Sequence, residues 1–245
     1  MQTQKAYKLL AEQLGVSNNE AKTLIDNGLV STGGKRLEIA RAELPLGTKF
    51  SVTKRQKPRK IFEDENLVAV EKPPFVTSEE VAKEFGFALL NRLDKETSGV
   101  MLLYKSEEFR QNAVAEFAAN RVEKLYYAIV KGVVAEEFEI TAPLTTTKTK
   151  GGAFTRVDKH GKSAFTRVLP QSVSGKKSLV KVQIQTGRTH QIRVHLASAG
   201  FGVLGDEKYA KSKAKRIYLH SAKISLLGYS FESKLDQSFA EFFEI

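Results

Sequence analysis

The stretch NRLDKETSGVMLLY, residues 91–104, combines a charged pair, a turn and an apolar run. Arg92 and Asp94 are two residues apart, so on an extended backbone their side chains project to the same side. Residues 97–99, Thr-Ser-Gly, predict a turn, and Val100–Tyr104 predicts a short buried strand. Asp94 would then be an ionised carboxylate at the mouth of that strand. A surface ion pair beside a turn gives the same short pattern, so the rest of the chain has to decide between the two interpretations.

A second stretch, TGRTHQIRVHL, covers residues 186–196. The pattern predicts that a strand ends here, that Gly187 makes a turn and that Thr189 caps a helix. We expect Arg193, near the start of this helix, to point toward the end of a neighbouring strand. A planar guanidinium in that place is suited to hold and aim a carboxylate.

Both stretches resemble motifs of the RluA-type pseudouridine synthases. Residues 91–99 resemble H-R-L-D-K-x-T-S-G, with Asn91 in place of histidine, and residues 187–195 resemble G-R-[TS]-H-Q-[IL]-R-V-H. Residues 124–132 are similar to K-x-Y-x-A-x-V-x-G, and residues 71–73 to N-K-P, with Glu71 in place of asparagine. The resemblance extends from about residue 61 to the C-terminus. It implies an α+β catalytic domain built on a mixed, mainly antiparallel sheet.

The resemblance also implies an activity, the isomerisation of uridine in RNA to pseudouridine without a cofactor or metal. Asp94 would be the catalytic carboxylate, either attacking the anomeric carbon or removing a sugar proton. Arg193 would pair with Asp94, and Tyr126 would stack on the uracil and accept its ring proton. The implied RNA contacts in this part of the chain are Arg92, Lys72 and Arg188.

The charge distribution independently indicates a polyanionic partner. The chain has 39 Lys and Arg against 28 Asp and Glu, and residues 1–60 hold 12 of the basic and 5 of the acidic residues. A cationic surplus concentrated in one quarter of the chain favours nucleic acid or an anionic membrane surface as the partner. No segment is long and apolar enough to predict a bilayer span, and no secretory signal is visible. With no cysteine, disulfides and thiolate chemistry are excluded. We expect a cytoplasmic monomer that binds RNA and no membrane.

The N-terminal region predicts two short helices followed by a small strand pair, and residues 1–53 resemble the αL RNA-binding module first seen in a small-subunit ribosomal protein. The resemblance implies that this module presents Lys22, Lys35 and Arg36 to RNA. Residues 54–60 form a basic linker with five cations, among them Lys54 and Arg55, which we expect to contact phosphates. Residues 61–245 would form the catalytic domain.

Other functions remain open at the level of sequence. Asp94 and Glu96 on one strand face would suit Mg²⁺ or a glycosidase carboxylate pair. An RNA-binding ribosome assembly factor without catalysis agrees with Asn91, Glu71 and a shortened segment over residues 76–90. Large-subunit ribosomal RNA is the expected substrate, with transfer RNA as the alternative.

Overall fold

A computed structural model describes residues 2–149 and 152–243 of the chain. These residues form two compact units. The first comprises Met1–Gln56 together with Lys213–Arg216, and the second comprises Lys57–Ser212 with Ile217–Ile245. The first unit therefore ends inside the predicted basic linker, and the sequence pattern gave no sign that residues 213–216 belong to it.

The first unit contains two helices and two small sheets. Its elements are β1 (Thr3–Lys5), α1 (Ala6–Leu14), α2 (Asn18–Asp26), β2 (Val30–Thr32), β3 (Lys35–Arg36), β4 (Glu43–Pro45) and β5 (Ser51–Val52). Helix α1 ends at Gly15, whose φ of 68° lies in the left-handed region that glycine adopts without steric cost. Helix α2 begins after Ser17, whose side chain accepts a hydrogen bond from the Glu20 amide. Both helix limits agree with the sequence pattern.

The second unit begins with the strands and helices that lead to the site. They are β6 (Arg59–Glu63), β7 (Leu67–Lys72), α3 (Ser78–Phe85), β8 (Ala88–Leu89), β9 (Ser98–Tyr104), α4 (Glu107–Ala118), β10 (Glu123–Lys131) and β11 (Phe138–Ile140). The remaining elements are β12 (Leu144–Thr149), β13 (Gly152–Val157), β14 (Thr166–Ser174), β15 (Lys177–Ile184), α5 (Gln191–Ser198), α6 (Glu207–Ala210), β16 (Leu219–Leu226), β17 (Tyr229–Glu232) and α7 (Gln237–Ala240).

A ten-stranded sheet organises the second unit, in the order β11-β14-β15-β10-β16-β9-β7-β6, with β17 paired to β16 and β8 to β9. Only the pair formed by β16 and β9 is parallel within the described sheet. Gly99 makes this contact possible, because a Cβ at this position would lie 2.1 Å from the Ser221 carbonyl oxygen and the φ of Gly99 is 114°. The predicted α+β class with a mainly antiparallel mixed sheet is confirmed.

Both faces of the central strands are buried. On β9, Met101 and Leu103 belong to one hydrophobic core, and Val100 and Leu102 belong to another on the opposite face. This division follows from the two-residue period of a strand. Helix α4 contributes to the second core, whereas α3 and α5 contribute to the first. The continuous apolar run after the turn is therefore a central strand between two cores, and its N-terminal end carries the site.

The predicted linker is shorter than its charge pattern suggested. Arg59 and Lys60 already belong to β6, where Arg59 lies opposite Glu71 and Lys60 opposite Val70. Each also forms an ion pair, Arg59 with Glu71 and Lys60 with Glu63. These two cations are therefore part of the sheet edge, and the prediction of a linker reaching residue 60 is wrong at its last two positions.

Candidate active site

Asp94 lies in the loop that joins β8 to β9, and the loop is held in place by buried hydrogen bonds. The hydroxyl of Ser78 donates to the Leu93 carbonyl and accepts from the Leu93 amide, both at 3.0 Å. After Asp94 the chain turns, and the Thr97 amide donates to the Asp94 carbonyl at 3.1 Å. These bonds fix the backbone on both sides of the carboxylate before any substrate binds.

Lys72 supports the same loop from inside the protein. Its side chain is fully buried, and its ammonium donates to the carbonyls of Pro73, Val76 and Lys95 at 3.1, 2.6 and 3.1 Å. Three carbonyl acceptors use the three protons of a lysine ammonium. The predicted RNA contact by Lys72 is therefore wrong. This lysine links the end of β7 to the residue after Asp94 and positions the loop.

Arg193 reaches the loop from α5. The helix begins at Gln191, and the residue before it, His190, has a left-handed φ of 53°. The prediction that Thr189 caps this helix is wrong, because His190 occupies the N-cap position and makes no side-chain cap. Gln191 instead fixes the helix start by donating to the Phe165 carbonyl at 2.9 Å. The predicted direction of Arg193, toward a strand end, agrees with the structure.

The guanidinium of Arg193 contacts two carboxylates. Its Nη1 donates to Asp94 Oδ2 at 3.0 Å, while Nε and Nη2 donate to the two oxygens of Asp206 at 2.7 and 3.0 Å. Burial alone would lower the pKa of Arg193, but the hydrogen bonds and charges of Asp206 and Asp94 outweigh burial and raise it. The arginine is therefore a permanent cation. The structure brings together residues that are 99 positions apart in the sequence.

Asp206 was not singled out by the sequence analysis. It has no exposed surface, and besides Arg193 its side chain accepts the amides of Lys208 and Tyr209 as the N-cap of α6. The available signal was the acid directly after the apolar run Val203-Leu204-Gly205, since a buried carboxylate requires a partner. Asp206 holds the inner side of the guanidinium, and Asp94 meets its outer side.

Tyr126 lies on β10 and lines the same pocket as Asp94 and Arg193, a cavity of about 100 Å³. Burial and the nearby negative charge of Asp94 raise the pKa of Tyr126 to about 12, against the opposing effect of a hydrogen bond with Ser221. The phenol is therefore protonated at neutral pH. A protonated phenol is a poor proton acceptor, so this environment favours packing on a base over the predicted uptake of a ring proton.

His190 completes the wall beside Asp94. Its Nδ1 lies 2.6 Å from the Tyr209 hydroxyl, and its Nε2 lies 3.8 Å from Asp94 Oδ1. Burial lowers the pKa of His190, as do the cations of Arg193 and Lys208, although Asp94 acts in the opposite direction. The imidazole is therefore neutral at neutral pH. The Tyr209 oxygen also accepts the Thr155 amide, and the Nε2 edge of the imidazole faces Asp94.

Two of the predicted RNA contacts line the mouth of this pocket, Arg92 and Arg188. The Arg92 side chain is 71% exposed and pairs with Glu79 at 2.9 Å, so this ion pair can be exchanged for a phosphate at little cost. Arg188 is half-buried and its Nε donates to the Ser163 carbonyl at 3.0 Å. Both cations are placed to face a substrate in the pocket.

The other predicted RNA contacts belong to the first unit. Lys35, Lys54 and Arg55 are exposed, and the Lys22 ammonium lies 4.4 Å from the centre of the Tyr7 ring. Arg36 is less available, since its side chain is 12% exposed and pairs with Glu38 at 2.8 Å. Within residues 2–149 and 152–243, no group of three His, Asp or Glu side chains is arranged to hold a metal ion.

Comparison with known proteins gives the family. Residues 68–198 match the family model described as RNA pseudouridylate synthase. The chain belongs to the RNA pseudouridine synthase family. It is 51% identical over 240 residues to an uncharacterized RNA pseudouridine synthase of Helicobacter pylori strain J99, covering 96% of this chain and 99% of that protein. The chain is thus an isomerase that acts on RNA.

More distant relatives agree with this family. The chain is 29% identical to the ribosomal large subunit pseudouridine synthase D of Zymomonas mobilis, over 81% of this chain and 74% of that protein. The solved structure of human RNA pseudouridylate synthase domain containing 1 matches with a TM-score of 0.63 at 22% identity, covering 74% of this chain and 84% of that one. This structural match supports the fold alone.

The two departures from the motifs of the pseudouridine synthases have structural explanations. The Asn91 side chain accepts the Leu102 amide at 2.8 Å and so fastens the entry of the Asp94 loop to β9. Glu71 is paired with Arg59 at 2.5 Å and accepts the Ser233 hydroxyl at 3.0 Å. Neither Asn91 nor Glu71 is among the residues that line the pocket. No helix among the described residues is long and apolar enough to cross a bilayer.

Proposed function

We propose that this pseudouridine synthase modifies uridine in large-subunit ribosomal RNA, with Asp94 as the catalytic carboxylate, Arg193 as its partner and Tyr126 as the packing surface for the uracil. The observation that carries the assignment is the 3.0 Å ion pair between Asp94 and Arg193 at the wall of a pocket that Tyr126 also lines. The Asp94 side chain keeps 26% exposure, whereas Arg193 keeps 6%. The carboxylate can therefore meet a substrate while the guanidinium stays fixed behind it.

The two carboxylate oxygens of Asp94 have different surroundings and therefore different proposed roles. Oδ2 is occupied by Arg193, so Oδ1 is the oxygen with room for a reacting sugar atom. A preorganised cation in a poorly hydrated site holds the carboxylate in a fixed orientation as the glycosidic bond breaks. Attack on the anomeric carbon and removal of a sugar proton both need this free oxygen. The target uridine has to leave its stack to reach it, which costs a few kcal/mol.

The first experiment replaces the carboxylate without changing its shape. Asp94→Asn is expected to abolish tritium release from [5-³H]uridine-labelled bulk RNA of cells that lack the gene, with RNA affinity nearly unchanged. Glu96→Gln is the matched control, because it removes a carboxylate two residues away and should retain activity. Full activity of purified Asp94→Asn would refute the assignment. Loss in both variants would favour the Asp94–Glu96 pair considered from the sequence.

Tyr126→Phe separates packing from acid–base chemistry. It keeps the ring and removes the hydroxyl, so a pure packing role predicts nearly unchanged kcat, while Tyr126→Ala should lose activity strongly. A large loss in the phenylalanine variant would mean that the hydroxyl takes part in proton transfer despite its raised pKa.

The N-terminal unit is proposed to bind RNA as an αL-type module together with the exposed cations of the linker. Each neutralised phosphate contributes roughly 0.7–0.9 to the slope of log affinity against log salt. Lys54→Ala combined with Arg55→Ala should therefore reduce the slope by about 1.5. The control is the equally charged double variant Lys176→Ala with Lys234→Ala on the second unit, for which the slope should change less. Equal slopes for both double variants would refute a specific role of the linker.

The ribosomal substrate is supported by the similarity to the Zymomonas mobilis relative, which is named a ribosomal large subunit pseudouridine synthase. The test is a map of pseudouridines in cells with the gene, without it, and with an Asp94→Asn copy. Loss of a site in large-subunit ribosomal RNA in both altered strains supports the proposal. Loss of pseudouridine confined to transfer RNA would mean that transfer RNA is the substrate, and the proposed catalytic roles would stand unchanged.

A further inference from the structure

We infer that the hairpin of β12 and β13 binds an unpaired nucleotide next to the target uridine, with its base stacked on Phe154. This inference rests on the proposed site at Asp94 and adds a nucleotide-binding position outside the catalytic pocket. Phe154 is 45% exposed. Of the phenylalanines in residues 2–149 and 152–243, only Phe154 and Phe62 are exposed.

The position of Phe154 connects it to the active site. Its ring centre lies 5.5 Å from that of Tyr209, and the Tyr209 ring centre lies 5.5 Å from that of His190. His190 in turn faces Asp94 at 3.8 Å. Phe154 is thus two ring contacts away from the residue beside the catalytic carboxylate. That is too far to touch the target base itself and close enough for a neighbouring nucleotide.

The surroundings of Phe154 suit RNA. The Lys208 ammonium lies 5.8 Å from the ring centres of both Phe154 and Tyr209, and it donates to the Ala153 carbonyl at 2.5 Å. An exposed aromatic ring beside a cation is an arrangement by which proteins bind unpaired nucleotides, since the ring stacks on a base and the cation meets a phosphate.

The other exposed ring provides a contrast. Phe62 packs against Tyr229 and Phe231, with ring centres 6.1 and 5.4 Å away. The three residues after it, Glu63, Asp64 and Glu65, are acidic, and Lys60 before it is paired with Glu63. An RNA strand would gain little there. Phe62 therefore serves as a control for an exposed phenylalanine that lies beside acidic residues and an ion pair.

The chain contains no tryptophan, so Phe154→Trp introduces a single tryptophan at the proposed contact, and its fluorescence can be excited selectively over that of tyrosine. Addition of bulk RNA from cells that lack the gene should quench this fluorescence, because the indole stacks on a base, while Phe62→Trp should respond much less. Such RNA contains the unmodified substrate whichever class it belongs to. Equal responses of the two tryptophans would overturn the inference, as would no response at position 154.

Kinetics provide the second measurement. Loss of one stacked base is expected to lower kcat/KM about 5- to 150-fold in Phe154→Ala. Phe154→Tyr should retain most activity and Phe154→Leu should not, because leucine is apolar but has no π-face; Phe62→Ala should behave as wild type. All four proteins should keep the wild-type circular dichroism spectrum, since the ring is exposed. An unchanged kcat/KM in Phe154→Ala would contradict the inference.

Failure of this inference can be told apart from failure of the catalytic assignment. In the double variant Asp94→Asn with Phe154→Trp, quenching without turnover supports both proposals. Quenching with full turnover would refute the catalytic role of Asp94 and support the nucleotide contact of the hairpin. Absence of quenching in an inactive double variant would refute the nucleotide contact and remain consistent with the catalytic role of Asp94.

Discussion

Asp206 should contribute more to stability than Asp94, although both contact the same guanidinium. Asp206 is fully buried and forms two bonds to Arg193, whereas Asp94 forms one and its side chain is 26% exposed. Breaking a buried ion pair by removing one partner costs about 3–5 kcal/mol, and a partly exposed pair contributes up to about 1 kcal/mol. We therefore expect Asp206→Asn to lower the free energy of unfolding by about 3–5 kcal/mol and Asp94→Asn by less than about 1 kcal/mol.

Geometry explains why asparagine cannot replace Asp206. Oδ1 accepts Arg193 Nη2 and the amides of Lys208 and Tyr209, and Oδ2 accepts Arg193 Nε. Every contact is therefore a donor pointing at a carboxylate oxygen. An amide NH2 group in either position would face a donor with another donor, so at least one bond is lost together with the charge.

The assay is urea unfolding at pH 7 followed by circular dichroism, with both asparagine variants beside the wild type. A loss of this size lowers the melting temperature of a domain with about 200 residues by roughly 10 °C. A double-mutant cycle with Arg193→Met isolates the coupling between Arg193 and Asp206, which should exceed the coupling between Arg193 and Asp94. Equal stability of the two asparagine variants would refute the proposed division between an anchoring and a catalytic carboxylate.

Three further outcomes follow from single positions. Gly99→Ala should destabilise the second unit by more than about 4 kcal/mol, because its Cβ would overlap the Ser221 backbone; wild-type stability in urea would contradict this. Burial lowers the pKa of Lys124 to about 8, so between pH 8 and 10 the unfolded chain binds more protons at this residue than the folded chain. Over this range the free energy of unfolding of the wild type should rise by about 2 kcal/mol relative to that of Lys124→Met. Unfolding in urea at a series of pH values measures this difference. His190→Gln supplies a side-chain N–H that reaches toward Asp94, so it should retain a higher kcat than His190→Asn. Asparagine suits the left-handed backbone at this position better, but its side chain is too short. The opposite order in tritium-release kinetics would mean that His190 has a purely structural role.

The sequence motifs predicted the residues of the pocket better than they predicted the contacts that hold those residues in place. Asp94, Tyr126 and Arg193 come from three separate motifs, and the structure places all three around one cavity. Helix limits that depend only on neighbouring residues also follow local rules, such as the end of α1 at Gly15 and the start of α4 after Ser106. Motifs and helix limits can both be recognised in a sequence because a short pattern contains the information they need.

The remaining features depend on how distant segments meet. Lys72 has the pattern of an exposed cation at a strand end, yet three carbonyls converge on its ammonium, and two of those carbonyls lie in the Asp94 loop and the segment before α3. The left-handed backbone of His190 likewise occurs together with a contact to Tyr209, 19 residues later. No local pattern states which carbonyl or hydroxyl will be nearby in the fold.

The two carboxylates on Arg193 explain how the site can be ready before RNA arrives. A lone arginine opposite Asp94 would have several rotamers, and fixing one of them costs free energy at each substrate encounter. Asp206 is buried, caps α6 and binds the guanidinium through two atoms, so the rotamer is selected when the protein folds. The third donor, Nη1, then points at Asp94 without further ordering. Because the orientation is set during folding, Arg193 can contact Asp94 in the proposed catalytic role without a further ordering cost.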